Sequence, residues 1–410
     1  MRLKTCARFP HTQPFASVYH RYSEKSIILP KNIDKQGEQM YNFPKINSEY
    51  FAHNKRMKNT NKVGRRKERS TAYFMVFHSV ILIFALLFLA FRVFGVGKRV
   101  LEAHISVPVR SFSAFVFSSH PIPVFELLIA FSPMLIPLIL WYTVSAFPRR
   151  SSFAIPLLLV EILVITYAAS FQNFGIYEEK DLHGVGDNLK STYIKAFDRI
   201  VTELNEIAGK IEFVPEREKA YEAASVAAFV TAEDRLGWRG GTPTVKNSLF
   251  SDALTKAKIL GYYSFPTAEI YINSEQPEYM AVFTAAHEQM HFFGVAREDE
   301  ANFYAFLSLY SSTDPFLSYS AVLRAYEYLA SDMYYISRSD FQRINSRLPS
   351  VARCDLLSSR KYADRASPGF FGKISDSLND AAIGLRDDRG AHSYSETGRL
   401  LTLFFSGYIS

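Results

Sequence analysis

Cysteine is nearly absent from this chain, which has two in 410 residues, Cys6 and Cys354. Two thiols are too few for a disulfide framework or for a zinc site built from thiolates. Charged residues are also scarce, at 21% of the sequence against 48% hydrophobic and 15% aromatic residues. This composition is rich in apolar side chains for a soluble protein, and it favours a chain with segments inside a membrane.

The first 71 residues lack an apolar run comparable to the hydrophobic core of a secretory signal. They also have few acidic groups, 5 Asp and Glu against 16 Lys and Arg, so the net charge of +7 belongs to this stretch. The pattern predicts a basic, mostly disordered arm over 1–71. Because no folded nucleic-acid-binding motif accompanies the charge, we expect no nucleic-acid partner.

Three apolar segments follow the arm, at about 72–91, 122–147 and 153–171. A helix needs ~20 apolar residues to cross the hydrocarbon of a bilayer. Each segment meets that length within error, and the prolines of the second are tolerated in membrane helices. The sequence therefore predicts a multi-pass membrane protein with three N-terminal transmembrane helices.

The distribution of Lys and Arg predicts the orientation of these helices. The basic arm and the turn Pro148-Arg149-Arg150 should both stay in the cytoplasm, which places the longer connection 92–121 outside. Three spans that start inside leave 172–410 outside the cytoplasm. Glu126 and Glu161 lie within spans two and three, where a carboxylate is often functional. The simpler interpretation is a protonated or interface-level side chain that helps the helices associate.

The remainder, 172–410, has the pattern of a mostly α, α+β domain. Apolar residues recur at helical spacing, and one short segment alternates as a strand does. We expect helices at 189–207, 216–235, 279–293 and 298–310, and a strand at 268–273. The strand is either an edge strand that pairs with an extended peptide or a plain core strand.

The run His287-Glu288-Gln289-Met290-His291 carries the chemistry. Histidines four residues apart lie on one face of a helix, so both imidazoles can reach one Zn²⁺ ion. Glu288 sits beside the first ligand, where it can act as general base on a zinc-activated water. The motif predicts a zinc metallopeptidase centre.

A catalytic zinc needs a third protein ligand and an open position. Gly294 turns the chain, and the acidic run after it offers Glu298, with Glu300 as the rival on a different helical face. Asn302 lies one turn beyond Glu298, where it can hydrogen-bond to a ligand histidine. The alternative for the run, a solvated helix start whose carboxylates favour the macrodipole, applies most to Asp299.

These residues resemble a known family. The stretch Tyr262 to Glu269, the His287–His291 motif, Gly294 and Glu298-Asp-Glu-Ala-Asn302-Phe303 are similar to the bacterial membrane family catalogued as domain of unknown function 3810. The resemblance runs from about residue 72 to the C-terminus and implies a zincin-like domain. The Glu-x-x-x-Asn element also resembles the Glu-x-x-x-Asp of gluzincin peptidases, with Asn302 in place of their Asp.

The segment Gly390-Ala-His392-Ser-Tyr394 looks like a Gly…Ser-Tyr segment of the same family. Peptidases of this type need a hydrogen-bond donor for the oxyanion of the tetrahedral intermediate. Tyr394 and His392 are candidates for that donor. The alternative is that both are surface polar residues in a loop.

The function expected from these features is hydrolysis of peptide or protein substrates by a membrane-anchored, zinc-dependent enzyme. A catalytically silent metal-binding or sensor module with the same anchor is the alternative. An intramembrane protease would need the motif inside a span, and 279–310 is too rich in polar and charged residues for that. The sequence leaves the oligomeric state open.

Overall fold

The computed structural model describes residues 53, 55–57, 73–91, 98–145, 154–170, 189–212, 214–365 and 393–407. Met1–Arg66 forms a unit of its own, and Lys67–Ser410 forms the second. In the first unit, residues 53 and 55–57 are helical. The prediction of a disordered arm over 1–71 otherwise lies outside the described residues.

Two apolar helices, α1 (Tyr73–Phe91) and α3 (Val124–Ser145), are long and apolar enough to cross a membrane. Most of their large side chains are exposed, which suits a surface that faces lipid. The third predicted span corresponds to α4 (Ala154–Ser170), which is apolar but has only 17 residues. Its Glu161 carboxylate accepts a hydrogen bond from His78 Nδ1 of α1 at 2.9 Å, so this side chain does join two of the apolar helices.

The predicted connection 92–121 is largely helical. We call the run 98–118 α2; its α-helical turns (Lys98–Leu101, Val107–Ser113) alternate with π-helical turns (Glu102–Ser106, Ala114–Ser118). One face of α2 packs into the domain that follows. Arg110 is fully buried there, with its guanidinium on the Ser170 carbonyl, on Glu102 and over the Trp238 ring.

The rest of the domain is built from helices around a short sheet. The helices are α5 (Leu189–Ala208), α6 (Arg217–Thr231, continued by a π-helical turn Ala232–Leu236), α7 (Ser251–Lys256), α8 (Glu278–Phe292), α9 (Glu298–Tyr310), α10 (Pro315–Ile336), α11 (Arg338–Asn345), α12 (Ser350–Asp364) and α13 (Ser393–Phe405). In α8 every residue except Glu278 and His287 is buried, and α9 is buried up to Leu309. Helices that are buried on all sides form the centre of a core.

The sheet has three strands, β1 (Val245–Asn247), β2 (Gly261–Ser264) and β3 (Glu269–Ile272), in the order β1-β3-β2. β1 runs parallel to β3, and β2 runs antiparallel to it. The segment 268–273 is therefore the central strand. The edge-strand interpretation is wrong for it, because both of its backbone edges are already paired.

Two buried carboxylates join this sheet to the first turn of α3. Glu269 of β3 accepts hydrogen bonds from the backbone N–H groups of Val124 and Phe125 at 3.0 and 2.8 Å. Glu126 of α3 accepts in return from the Leu249 backbone N–H at 2.7 Å and from the Tyr262 hydroxyl at 2.8 Å. Glu126 therefore binds the sheet region, and the prediction that it helps apolar helices associate is wrong. The mostly helical architecture with a small sheet is confirmed.

Candidate metal centre

The centre begins on α8, where His287 and His291 lie one turn apart. Their ring centroids are 4.7 Å apart and the ring planes are nearly perpendicular, at 88°. His291 is buried, whereas His287 retains 12% exposure of its side chain. Of the two imidazoles, His287 is therefore the one that is in contact with solvent.

A tight turn ends α8 and reverses the chain. Val295 N donates to the Met290 carbonyl and Gly294 N to the His291 carbonyl, both at 3.0 Å, which is the Schellman pattern. Gly294 has φ +105°, a backbone conformation that favours glycine. The predicted turn at Gly294 is confirmed, and it leads directly into α9.

The turn brings the first residue of α9, Glu298, between the two histidines. Its carboxylate oxygens lie 3.3 Å from His287 Nε2 and 3.5 Å from His291 Nε2. Burial alone would raise the pKa of Glu298, but His291 and His287 hold that pKa well below its usual range. One carboxylate and two imidazoles form a set of donors that can hold a metal ion such as zinc.

The same turn fixes the orientation of His291. Its Nδ1 lies 2.7 Å from the Val295 carbonyl oxygen, which can only accept a hydrogen bond. Nδ1 must therefore carry the proton, and in the neutral ring the lone pair is on Nε2, the atom that faces Glu298. Metal-binding histidines are commonly held in this way.

The spacing of the three side chains fits zinc. Each offers one ligand atom, and these atoms all lie within 4.8 Å of one another. Tetrahedral coordination at ~2.1 Å separates neighbouring ligand atoms by ~3.4 Å. The contacts from Glu298 to the histidines match that separation and exceed the 2.7–2.9 Å of a close charged hydrogen bond.

Glu288, the predicted general base, is buried beside His287 on α8. Among the described residues, its Oε2 atom has no hydrogen-bond partner. A buried carboxylate oxygen without a protein partner is uncommon and costly. Such an atom suits a carboxylate whose partner is a water or a substrate.

The other acidic residues at the start of α9 are directed elsewhere. Asp299 and Glu300 are both buried and lie 3.1 and 3.3 Å from the Arg297 guanidinium. The structure therefore groups Glu298, and not Glu300, with the histidines. The alternative of a solvated helix start is wrong for Asp299.

Asn302 is buried near the centre, but its partners differ from those predicted. Its amide nitrogen donates to Thr397 Oγ1 at 3.3 Å, and its amide oxygen accepts from the Tyr328 hydroxyl at 2.9 Å. The predicted hydrogen bond from Asn302 to a ligand histidine is therefore wrong. Asn302 instead joins α9 to α13 and α10.

The predicted oxyanion donors lie at the margin of the described chain. His392 falls outside the described residues. Tyr394 is in the first turn of α13, three residues before Thr397, which contacts Asn302. This places the start of α13 near α9, and the role of Tyr394 stays a prediction.

Two residues of α10, Arg324 and Tyr328, also lie close to this group and were not predicted from the sequence. The Tyr328 hydroxyl bonds to Asn302, and Arg324 lies 3.4 Å from that hydroxyl and stacks over the Tyr328 ring. Burial raises the pKa of Tyr328, Arg324 opposes the rise, and the carboxylates of Glu327 and, less strongly, Glu298 add to it. Arg324 is the only cationic residue in α10, which is the one sequence signal that could have marked it.

The chain matches the sequence model of a known family. The sequence model of the family described as Protein of unknown function (DUF3810) covers residues 104–402. That range begins inside α2 and contains the sheet, α8, α9 and most of α13. No curated protein and no solved structure matches the chain.

Proposed function

We propose that this chain, which belongs to the family described as Protein of unknown function (DUF3810), is a membrane-anchored zinc metallopeptidase. The observation that carries the proposal is the group His287, His291 and Glu298, with Glu288 buried beside it. The two histidines and Glu298 would hold the ion. The 12% exposure of the His287 side chain shows that solvent reaches the group at this residue.

When bound, zinc would supply Lewis acidity, which lowers the pKa of water and polarises a peptide carbonyl. Glu288 takes a proton from water as the water oxygen bonds to the carbonyl carbon. The carbon–nitrogen bond then breaks, and Glu288 returns the proton to the leaving amine nitrogen. The position of Glu288 supports this role, because its buried Oε2 atom has no hydrogen-bond partner among the described residues and can accept one from a water.

The membrane topology is part of the proposal. We infer that α1, α3 and α4 all cross the bilayer, with the basic arm in the cytoplasm and the zincin-like domain outside. At ~1.5 Å per residue, α4 extends ~26 Å, a little less than the ~30 Å hydrocarbon thickness. The buried His78–Glu161 pair supports its place beside α1, because polar pairs inside a membrane face other helices. A reporter fused after Ser410 should be active only on the external side.

The decisive experiment compares the wild-type chain with Glu288→Gln in lipid vesicles. Both should contain zinc equimolar with protein, while cleavage of an unfolded protein substrate falls by ~10²–10⁴-fold in the variant. The control is Glu222→Gln, which removes a carboxylate from the exposed face of α6 and should keep full activity. If Glu288→Gln retains wild-type cleavage, the peptidase proposal is wrong. Zinc without cleavage in the wild type would favour a metal-binding or sensor module.

A further inference from the structure

One face of α2 carries apolar side chains that the described part of the chain leaves uncovered. Val100, Phe112 and Phe115 are 64%, 68% and 74% exposed, and Pro108 is exposed between them. Their spacing of three to four residues, or multiples of it, places them along one side of the helix. We call Val100, Pro108, Phe112 and Phe115 the apolar stripe.

The opposite face of α2 is fixed in the domain. A Cβ at Gly240 would lie 2.9 Å from Val107 and even closer to Ser111, so the chain there approaches α2 as closely as a glycine permits. Ser118 accepts from the Thr244 backbone N–H at 2.9 Å. These contacts prevent α2 from rotating to bury the apolar stripe.

Two charged side chains of α2, Glu102 and Arg110, point into the domain, where they pair with each other. Exposed His104 lies between Val100 and Pro108 on the side of the apolar stripe, and no Asp, Glu, Lys or Arg belongs to the stripe. A helix with one apolar face and its charges on the other side is the type that lies in the interface of a bilayer.

The apolar stripe lies on the segment that connects the two apolar helices along the chain. α1 ends at Phe91, shortly before α2 begins, and α3 starts at Val124, shortly after it ends. Leu249 adds another exposed apolar side chain beside the first turn of α3. Its backbone N–H binds Glu126 of that turn. Lipid is the occupant that this position favours.

We propose that α2 is an interfacial helix whose apolar stripe lies in the headgroup and upper acyl region of the bilayer. This inference rests on the proposed membrane location of α1 and α3. The position of α2 also brings the metal centre close to the membrane. Arg110 of α2 lies so near the end of α8 that a Cβ on Gly294 would be 2.6 Å from its Nη1 atom. The end of α8 is therefore about one helix diameter, ~10 Å, from the lipid surface. The substrates it implies are peptide segments that emerge from or lie on the membrane.

The test is nitroxide accessibility in the full chain reconstituted in phosphatidylcholine–phosphatidylglycerol vesicles. Cys6→Ser and Cys354→Ser provide the background, and labels are placed singly by Val100→Cys, Phe112→Cys and Phe115→Cys. Met134→Cys, at an exposed apolar position in the middle of α3, is the lipid reference. A separate variant with Cys6→Ser alone, labelled at the native Cys354 on the exposed side of α12, is the aqueous reference. Zinc content of each labelled protein reports that the domain is folded.

The expected result is that all three stripe labels collide more with oxygen than with a water-soluble nickel complex, at one shared depth shallower than residue 134. If the stripe labels are as accessible to nickel as the label at Cys354, α2 does not lie in the bilayer interface, while the proposal that α1 and α3 cross the membrane is unaffected. A water-like label at 134 would overturn the membrane proposal itself. Low accessibility to both reagents with spin–spin broadening would mean that a second copy covers the stripe. A depth gradient over the ~22 Å from 100 to 115 would mean that α2 crosses the interface and does not lie in it.

Discussion

The buried ion pair between Lys246 and Glu269 should be essential to the attachment of the sheet to α3. Lys246 Nζ donates to Glu269 Oε1 at 2.7 Å, and to the backbone carbonyls of Ile122 and Phe117 at 2.8 and 3.2 Å. The two side chains are 6% and 0% exposed. Lys246→Met keeps most of the side-chain volume but removes the only cation that contacts Glu269 among the described residues.

Removing one partner of a buried ion pair costs ~3–5 kcal/mol, because the remaining charge stays buried. The two N–H groups of α3 still bind Glu269, so the lower half of that range is expected. For a domain of this size, a cost of ~3–4 kcal/mol corresponds to a fall of ~6–16 °C in Tm. Adding Glu269→Gln to Lys246→Met should recover part of the loss, since the uncompensated charge is then gone.

The matched control is the exposed pair between Lys256 and Asp252 on α7. Its distance is almost the same, 2.6 Å, but the side chains are 56% and 70% exposed. Lys256→Met should leave Tm unchanged within the scatter of the measurement, because solvent screens such pairs. Thermal unfolding in detergent micelles, followed by near-ultraviolet circular dichroism, measures all three variants. If the Tm shift for Lys246→Met is no larger than that for Lys256→Met, the buried ion pair does not stabilise the attachment of the sheet to α3.

Two further predictions concern the metal centre. Gly294→Ala should lower the free energy of unfolding by ~1–3 kcal/mol from backbone strain alone, and weaken zinc binding, because φ is +105° and the new Cβ meets Arg110. The control is Gly241→Ala, whose new Cβ has nothing within 4 Å. It should change neither the free energy of unfolding, measured by denaturant titration, nor the zinc affinity, measured by chelator competition. Glu298→Gln should weaken zinc binding by at least ~10–100-fold, the range seen for lesser changes around metal sites, while Glu300→Gln should keep it. Equal zinc affinities in a chelator competition would contradict the assignment of Glu298.

Local features of the sequence predicted the helices around the metal centre. Helical spacing gave 298–310 with the bounds of α9, and the ends of α8 differ from the prediction by one residue. The Gly294 turn followed from the rule that glycine ends helices in a left-handed conformation. These signals depend on residues that are close together along the chain, so they can be recognised in a single sequence.

Contacts between distant segments could not be predicted in this way. The burial of Arg110 depends on Trp238, and the position of 268–273 depends on β1 and β2 on either side. Charges are scattered through 98–118, and the burial of Glu102 and Arg110 against the domain is not evident from the sequence. Asn302 bonds to Tyr328 and Thr397, which are 26 and 95 residues away in sequence. Spacing along one helix placed Asn302 near the site but did not give its partners.

The most direct test of the metal centre is zinc K-edge X-ray absorption on the purified full chain. The spectrum should show bound zinc with nitrogen and oxygen ligands at ~2.0–2.1 Å and the outer-shell scattering of two imidazoles. His291→Ala should remove the signal of one imidazole together with most of the zinc. A chain that binds no zinc, or zinc whose spectrum is unchanged in His291→Ala, would contradict the assignment of His287, His291 and Glu298 as its ligands.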